Sequence, residues 1–423
     1  MTIEQVIIRL FLTLFLLEFL VEFALNEMNL LYVRKHAAAG GIPKAFDDRL
    51  SGADYQRSVQ YTLAKGKFQR SASIYEIILT LWVVLGGALP VLNRIAETLG
   101  ARFPAGTRAT GILFCLGVGL ILSLFHLPTG IYSTFVLEER FGFNKTTPGL
   151  YVADRVKAFL LGLVIGVPFL FAVLWLMDVA GSYWWLWVFF FVLGFQLSMV
   201  VLYPTLIAPL FNKFEPLREG ELRQRILDMA GKIGFKASGI FTMDGSRRSA
   251  HSNAYFTGLG KSKRIVLFDT LVEQMSVEEG VAVLSHEMGH YKMKHIRRML
   301  VLRSIYLLAG LYVLSFVLGY EPFFHAFGFD RPTDHAALVL FSLLAGPATF
   351  YLHPFFNYIS RRHEYEADRF AAQTLKDGKP MEQALIKLTV KNLSNLTPHP
   401  WYSAYHYSHP TPGERIRAIR QER

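Results

Sequence analysis

VLSHEMGHYKMKH, residues 283–295, places His286 and His290 four positions apart with Glu287 between them. On a helix two residues at that spacing share a face. Two neutral imidazoles aimed at one point suit a zinc ion, which takes nitrogen ligands at about 2.0–2.1 Å and in catalytic sites keeps a position open for water. Glu287 is then the general base. The pattern HExxH also arises by chance in unrelated proteins, so its surroundings decide. Upstream, Ser276-Val277-Glu278-Glu279 reads as a capping box, and Val281, Val283 and Leu284 give the following helix an apolar face. Downstream, SRRHEYEAD at 360–368 sets Glu364 and Asp368 four apart on a second helical face. Glu364 is the candidate third ligand, and Asp368 can accept from the remaining N–H of a ligand histidine and fix its tautomer. The competing reading of this stretch is a solvated charged helix.

Beyond these segments the chain is a membrane protein by composition. It has 423 residues, 52% hydrophobic and 14% aromatic, with mean hydropathy +0.30, more apolar surface than a soluble enzyme carries. Seven apolar stretches are long enough to cross about 30 Å of hydrocarbon: Val6–Val33, Ile74–Ala96, Thr110–Val136, Ala158–Met177, Tyr183–Leu210, Met299–Leu318 and Ala336–Tyr358. The first is too long for a cleaved signal and shows no small-residue cleavage site, so it is expected to be retained. Seven crossings put 38 Lys and Arg in the connections of one side and, counting Arg94 at the edge of the second stretch, four on the other, which makes the basic side cytoplasmic. The formal charge of +11 is thereby a matter of topology and argues for no nucleic-acid partner. The single cysteine, Cys115, lies in the third stretch and excludes both a disulfide framework and a multi-cysteine zinc site.

Glu18, Glu22 and Asn26 recur every four residues in the first stretch and form one polar stripe. Ionisable groups at membrane depth face a bundle interior or a water-filled cavity, so the stripe predicts a wet chamber. His126, Asn93 and Arg303 are weaker candidates for the same interior. Between the fifth and sixth stretches, a helical pattern over 219–234 is followed by β-like runs at Gly239–Met243, Asn253–Gly258 and Arg264–Asp269. This predicts a small sheet ahead of the HEMGH helix, with Ala250–Phe256 as an edge able to pair with an extended peptide. The expected organisation is a membrane region over 1–210, a soluble α+β segment over 211–298, two further membrane helices over 299–358, and a helical C-terminal segment over 359–423.

Together, SAHSNAYF at 249–256, KRIVLFDTL at 263–271, HEMGH at 286–290, SRRHEYEAD at 360–368 and SHPTPGER at 408–415 closely resemble the type I CAAX prenyl protease family, integral-membrane zinc metallopeptidases of the gluzincin group. EERFGFNKTT at 138–147 and YPTLIAPLFNKFEPLREG at 203–220 extend the similarity into the membrane half. The resemblance implies an α-helical multipass membrane protein: seven transmembrane helices around a large intramembrane chamber, with a small α+β protease domain on the cytoplasmic side. It implies Zn2+ held by His286, His290 and Glu364, with Glu287 as base. It further implies Asp368 behind a ligand histidine, Asn253 and Arg415 on the substrate, and His409 at the reaction centre. The partners expected are the bilayer and a peptide or lipidated-peptide substrate, with a monomer as the active form. The C-terminus, AIRQER, carries no ER retention signal, and the chain is expected in a bacterial inner membrane, or in the ER membrane if eukaryotic. Two other classes compete: a quality-control metalloprotease with non-prenylated substrates, and a transporter or lipid-binding chamber with a structural zinc.

Overall fold

The computed structural model describes residues 1–46, 49–234, 238–258 and 263–421. It is mostly helical. Six helical segments among the described residues are long and apolar enough to cross a membrane: Gly52–Leu85, Gly106–Glu138, Pro148–Val179, Gly181–Leu210, His295–Val317 and Asp334–Leu375. The first helix, Ile3–Ala38, has 36 residues and at 1.5 Å per residue is long enough as well. Arg9, Glu18, Glu22 and Glu27 keep it outside a count by composition. Seven expected stretches therefore become six segments that qualify on composition and a seventh helix that does not.

Two further expectations change. The stretch Ile74–Ala96 is not one span. The second helix ends at Leu85, and Gly87, at φ 78°, precedes a separate helix, Ala88–Gly100. Only glycine takes that left-handed conformation without strain. The last span likewise does not stop near Tyr358: after a short 3-10 turn at Phe350–Leu352, helix His353–Leu375 carries it on past Glu364 and Asp368. The divisions expected at 298/299 and 358/359 both fall inside helices.

The membrane half packs around buried aromatic and aliphatic side chains, among them Phe114, Leu174, Phe324 and Leu340. The first helix joins this core through Phe11, whose ring meets Phe327 edge-on at 6.0 Å.

Among the described residues the sheet has four strands: β1 (Phe214–Pro216), β2 (Gly239–Met243), β3 (Ala254–Thr257) and β4 (Arg264–Phe268), in the order β1-β2-β4-β3. β2 and β4 run parallel, and the two outer pairs are antiparallel. β3 is thus an outer strand, though it begins at Ala254, so residues 250–253 of the expected edge precede it. Ile240, Ala254, Ile265 and Leu267 bury one face of the sheet against Leu284 and Met288 of the HEMGH helix. A separate apolar cluster ties that helix, through Ala282, to Val33 of the first helix, Tyr55 of the second, and Ile416 and Ile419 near the C-terminus. The polar stripe lies on the inside of the bundle. Glu18, Glu22 and Asn26 line a cavity of about 1050 Å³ whose walls also include Lys65, Arg70, His406, His409 and Arg415. His126, Asn93 and Arg303 are not among its lining residues; Asn93 accepts instead from His335, at 2.7 Å.

Candidate metal centre

The HEMGH helix spans Val277–Lys292 and begins with the expected capping box: Ser276 Oγ accepts from Glu279 N at 3.2 Å, and Glu279 Oε2 accepts from Ser276 N at 2.8 Å. Lys387 donates to the same Oε2. This start fixes the phase that sends His286 and His290 to one side. The helix then lies directly on His353–Leu375, the helix that carries Glu364, and Gly289 permits the approach: a Cβ there would stand 3.1 Å from the Ala367 Cα and 3.2 Å from the Phe370 ring.

His286, His290 and Glu364 converge, each offering one donor atom within 4.8 Å of the others. The two Nε2 atoms are 3.2 Å apart. Glu364 Oε2 is 3.4 Å from the first and Oε1 3.2 Å from the second. Four bonds of about 2.0–2.1 Å in a tetrahedron give donor-to-donor edges of about 3.3 Å, so the three side chains already stand at the spacing a metal ion requires. Glu364 Oε2 is also buried and makes no hydrogen bond among the described residues, with His286 Nε2 at 3.4 Å and Arg415 Nη1 at 3.5 Å as its neighbours, which leaves a buried acceptor unused. The site fits a metal.

Behind the donors, His286 Nδ1 donates to Asp368 Oδ1 at 2.8 Å, which leaves Nε2 as the lone-pair nitrogen. Asp368 also takes two bonds from Arg415, Nε to Oδ2 at 2.8 Å and Nη2 to Oδ1 at 2.6 Å. Arg415 Nη1 stands 3.5 Å from Glu364 Oε2. Burial and Arg415 oppose a charge on His286, but the Asp368 and Glu364 carboxylates outweigh them and raise its pKa to about 9. With Nδ1 committed to Asp368, the second proton sits on Nε2, the position that a metal ion would take from it. Enclosure raises the Glu287 carboxyl, with His286 and His290 pulling the other way.

The remaining expected residues divide. His409 Nε2 is 3.4 Å from Glu364 Oε1, and its side chain is 63% exposed. Asn253 lies just ahead of β3, its side-chain oxygen accepting from Ala254 N at 2.9 Å, and it is not among the residues lining the large cavity.

Other contacts here were not foreseen. His251 stacks on Phe143 at 3.9 Å and 14°, and lies 3.2 Å from Asn392 Oδ1 and 3.4 Å from Glu138 Oε2. Glu138 also accepts from the Tyr61 hydroxyl at 2.7 Å. EERFGFN and SAHSNAYF are thus clamped together beside the outer strand. His295, inside the stretch that opens the sequence analysis, packs behind His290. The partners of His251 and Glu138 lie 77 to 141 positions away in sequence, and no local spacing announces them.

Comparison with known proteins agrees with this picture. Residues 31–213 match the family model described as CAAX prenyl protease N-terminal, five membrane helices, and residues 216–423 match peptidase family M48. The chain is similar to the CAAX prenyl protease 1 homolog of Oryza sativa, 36% identical over 397 residues, covering 92% of this chain and 93% of the relative. It is similar also to CAAX prenyl protease 1 of Saccharomyces cerevisiae, 36% identical over 89% of this chain and 88% of the other. With the human homolog it is 32% identical over 90% and 88%. The crystal structure of S. mikatae Ste24p superposes with a TM-score of 0.91 at 34% identity, covering 99% of each chain. These relatives are eukaryotic and give no support to a bacterial inner membrane. Since the matches run nearly end to end and the donor set sits in the part assigned to M48, the chain belongs to the CAAX prenyl protease 1 family of M48 peptidases and is a membrane metalloendopeptidase.

Proposed function

We propose that the chain holds zinc through His286, His290 and Glu364 and hydrolyses peptide bonds near the C-terminus of CAAX-type prenylated peptides or other membrane-associated peptides. One observation carries this reading: through His409 and Arg415, the donor set adjoins a cavity of about 1050 Å³ that extends to Glu18, Glu22 and Asn26 of the first helix. A peptide whose end is apolar or lipidated can reach such a site from the membrane, and a folded protein cannot.

When bound, zinc supplies Lewis-acid activation of a water and of the scissile carbonyl. Glu287 takes the proton of the attacking water and passes it to the leaving amine, a task served by a carboxyl whose pKa enclosure has raised. His409 stands beside Glu364 and open to solvent, where an imidazole N–H can meet the developing oxyanion. Asp368 holds the His286 tautomer. Arg415, both of whose strongest bonds go to Asp368, fixes that carboxylate and presents Nη1 toward the reaction centre. The outer side of β3, with Asn253 at its head, is where an extended peptide pairs through its backbone.

We read Ile3–Ala38 as a seventh crossing. Leu10, Leu16, Leu17 and Leu20 are exposed outward, while Glu18 and Glu22 face the cavity. The charge asymmetry supports a cytoplasmic metal centre, and a donor set drawn wholly from one chain supports activity as a monomer. The decisive assay uses purified protein with a prenylated CAAX peptide, the same peptide unprenylated, and an unrelated unfolded peptide, each with and without a chelator. Chelator-sensitive cleavage that prefers the prenylated peptide is expected. Cleavage that survives complete metal removal overturns the reading.

A further inference from the structure

His290 and His286 differ in what stands behind them. His286 has the Asp368 carboxylate, 2.8 Å from its Nδ1, with Arg415 Nη2 3.3 Å from the same nitrogen. His290 has another histidine: its Nδ1 lies 3.1 Å from His295 Nδ1, and His295 Nε2 lies 3.0 Å from Glu366 Oε2. Only one placement of protons leaves His290 Nε2 with a free lone pair toward the other donors. His290 must carry its proton on Nδ1 and donate it to a bare His295 Nδ1. His295 must then carry its own proton on Nε2 and donate that to the Glu366 carboxylate.

We propose that His295 and Glu366 form a two-bond relay that fixes the tautomer and ring orientation of His290 and thereby sets the metal affinity of the site. This rests on the reading of His290 as a ligand. Both are positioning residues, since neither touches the reacting atoms.

The backbone brings the relay together. Five residues along an unbroken helix amount to about 500° of rotation, which would point residue 295 far from residue 290. Lys294 instead takes a left-handed conformation, φ 61°, between the end of the HEMGH helix and the start of the next. A side chain other than glycine rarely adopts it. The kink returns His295 onto His290, with the rings 5.1 Å apart at 74°. His295 is 2% exposed and lies flat against His363 at 4.0 Å and 11°, so its ring cannot turn away. Glu366, two residues after Glu364, faces a different side of its helix and so reaches His295 rather than the donor set. Its carboxylate is braced by Arg362, 3.3 Å from Oε1, and by Arg298, 3.6 Å from Oε2.

The test measures zinc dissociation constants by chelator competition, together with the visible spectrum of the cobalt-loaded protein, on the full chain in detergent. His295→Phe keeps an aromatic ring against His363 but cannot accept a hydrogen bond, and is expected to bind zinc about 10–100-fold more weakly. His295→Asn, whose amide oxygen stands near the Nδ1 position, is expected to recover much of that loss, which a filler of space would not do. Glu366→Ala is expected to weaken zinc about 10-fold or more, whereas Arg298→Ala with Arg362→Ala, which removes the bracing charges and spares the relay, stays within about twofold. Wild-type affinity in His295→Phe or in Glu366→Ala overturns the relay, as does an equal loss in the Phe and Asn variants. If both His295 variants misfold, Glu366→Ala decides alone. His290→Ala is measured beside them: should it keep zinc at full affinity, the ligand assignment itself fails, and a loss there with unchanged relay variants rejects the relay only.

Discussion

Glu364 is 4% exposed and stands within 3.5 Å of His286, His290, His409 and Arg415. Replacing it, or either histidine, by alanine should reduce bound metal to well below one ion per chain by elemental analysis. Glu287→Gln should keep the metal while lowering cleavage by about 10²–10⁴, the range for a missing general base. Asp368→Ala should weaken metal about 10–100-fold and, by leaving Arg415 buried without its carboxylate, cost about 3–5 kcal/mol of stability, read as a lower midpoint in denaturant. His409→Ala should lower kcat by about 10²–10³ with metal content unchanged. The residues named in these experiments were legible because the four-residue rhythm of a helix is local: HEMGH and the pair Glu364 and Asp368 declare their shared faces without knowledge of any neighbour. His295 and Glu366 are no farther from those motifs, yet nothing local pairs them. A left-handed Lys294 and the docking of two helices bring them together.

Between elements, the contact that matters most for the site is the face of the HEMGH helix laid on His353–Leu375. Gly289 sits at the crossing, with the Ala367 backbone and the Phe370 ring where a side chain would go. Gly289→Val should force the helices apart and separate Glu364 from both histidines. A loss of about 1–3 kcal/mol together with loss of metal is expected, with Gly289→Ala between that variant and wild type. Measuring metal content beside the denaturation midpoint distinguishes helix separation from general unfolding. Helices and strands were read well where apolar rhythm is strong, and β2 falls on the expected residues. The short strand β1 was missed. Three residues carry too little alternation to signal a strand, and β1 exists through its pairing with β2. The same holds for the second span: its hydrophobicity runs across Gly86 and Gly87, and only the backbone conformation shows that the helix stops.

At the scale of the whole molecule, the polar stripe and the cavity make one prediction independent of family. In a background with Cys115 replaced, cysteines at positions 18 and 22 should react with a small polar thiol reagent, and one at position 20 much less, because Leu20 points outward. Reaction at 20 and not at 18 or 22 would reverse the chamber's wall. Topology is tested in intact cells, where an impermeant reagent should reach cysteines placed at 181 or 334 and not one at 408. Both halves of the donor set are mounted on membrane helices. The helix bearing His286 and His290 runs, through the single kink at Lys294, into His295–Val317, and Glu364 rides on the continuation of the last span. The bilayer therefore grips the metal centre by two handles. A membrane too thick or too thin tilts its helices to cover their apolar length, and tilting these two by different amounts would pull the donors out of register. Turnover in vesicles of graded acyl-chain length should pass through an optimum, making hydrocarbon thickness a setting of the enzyme.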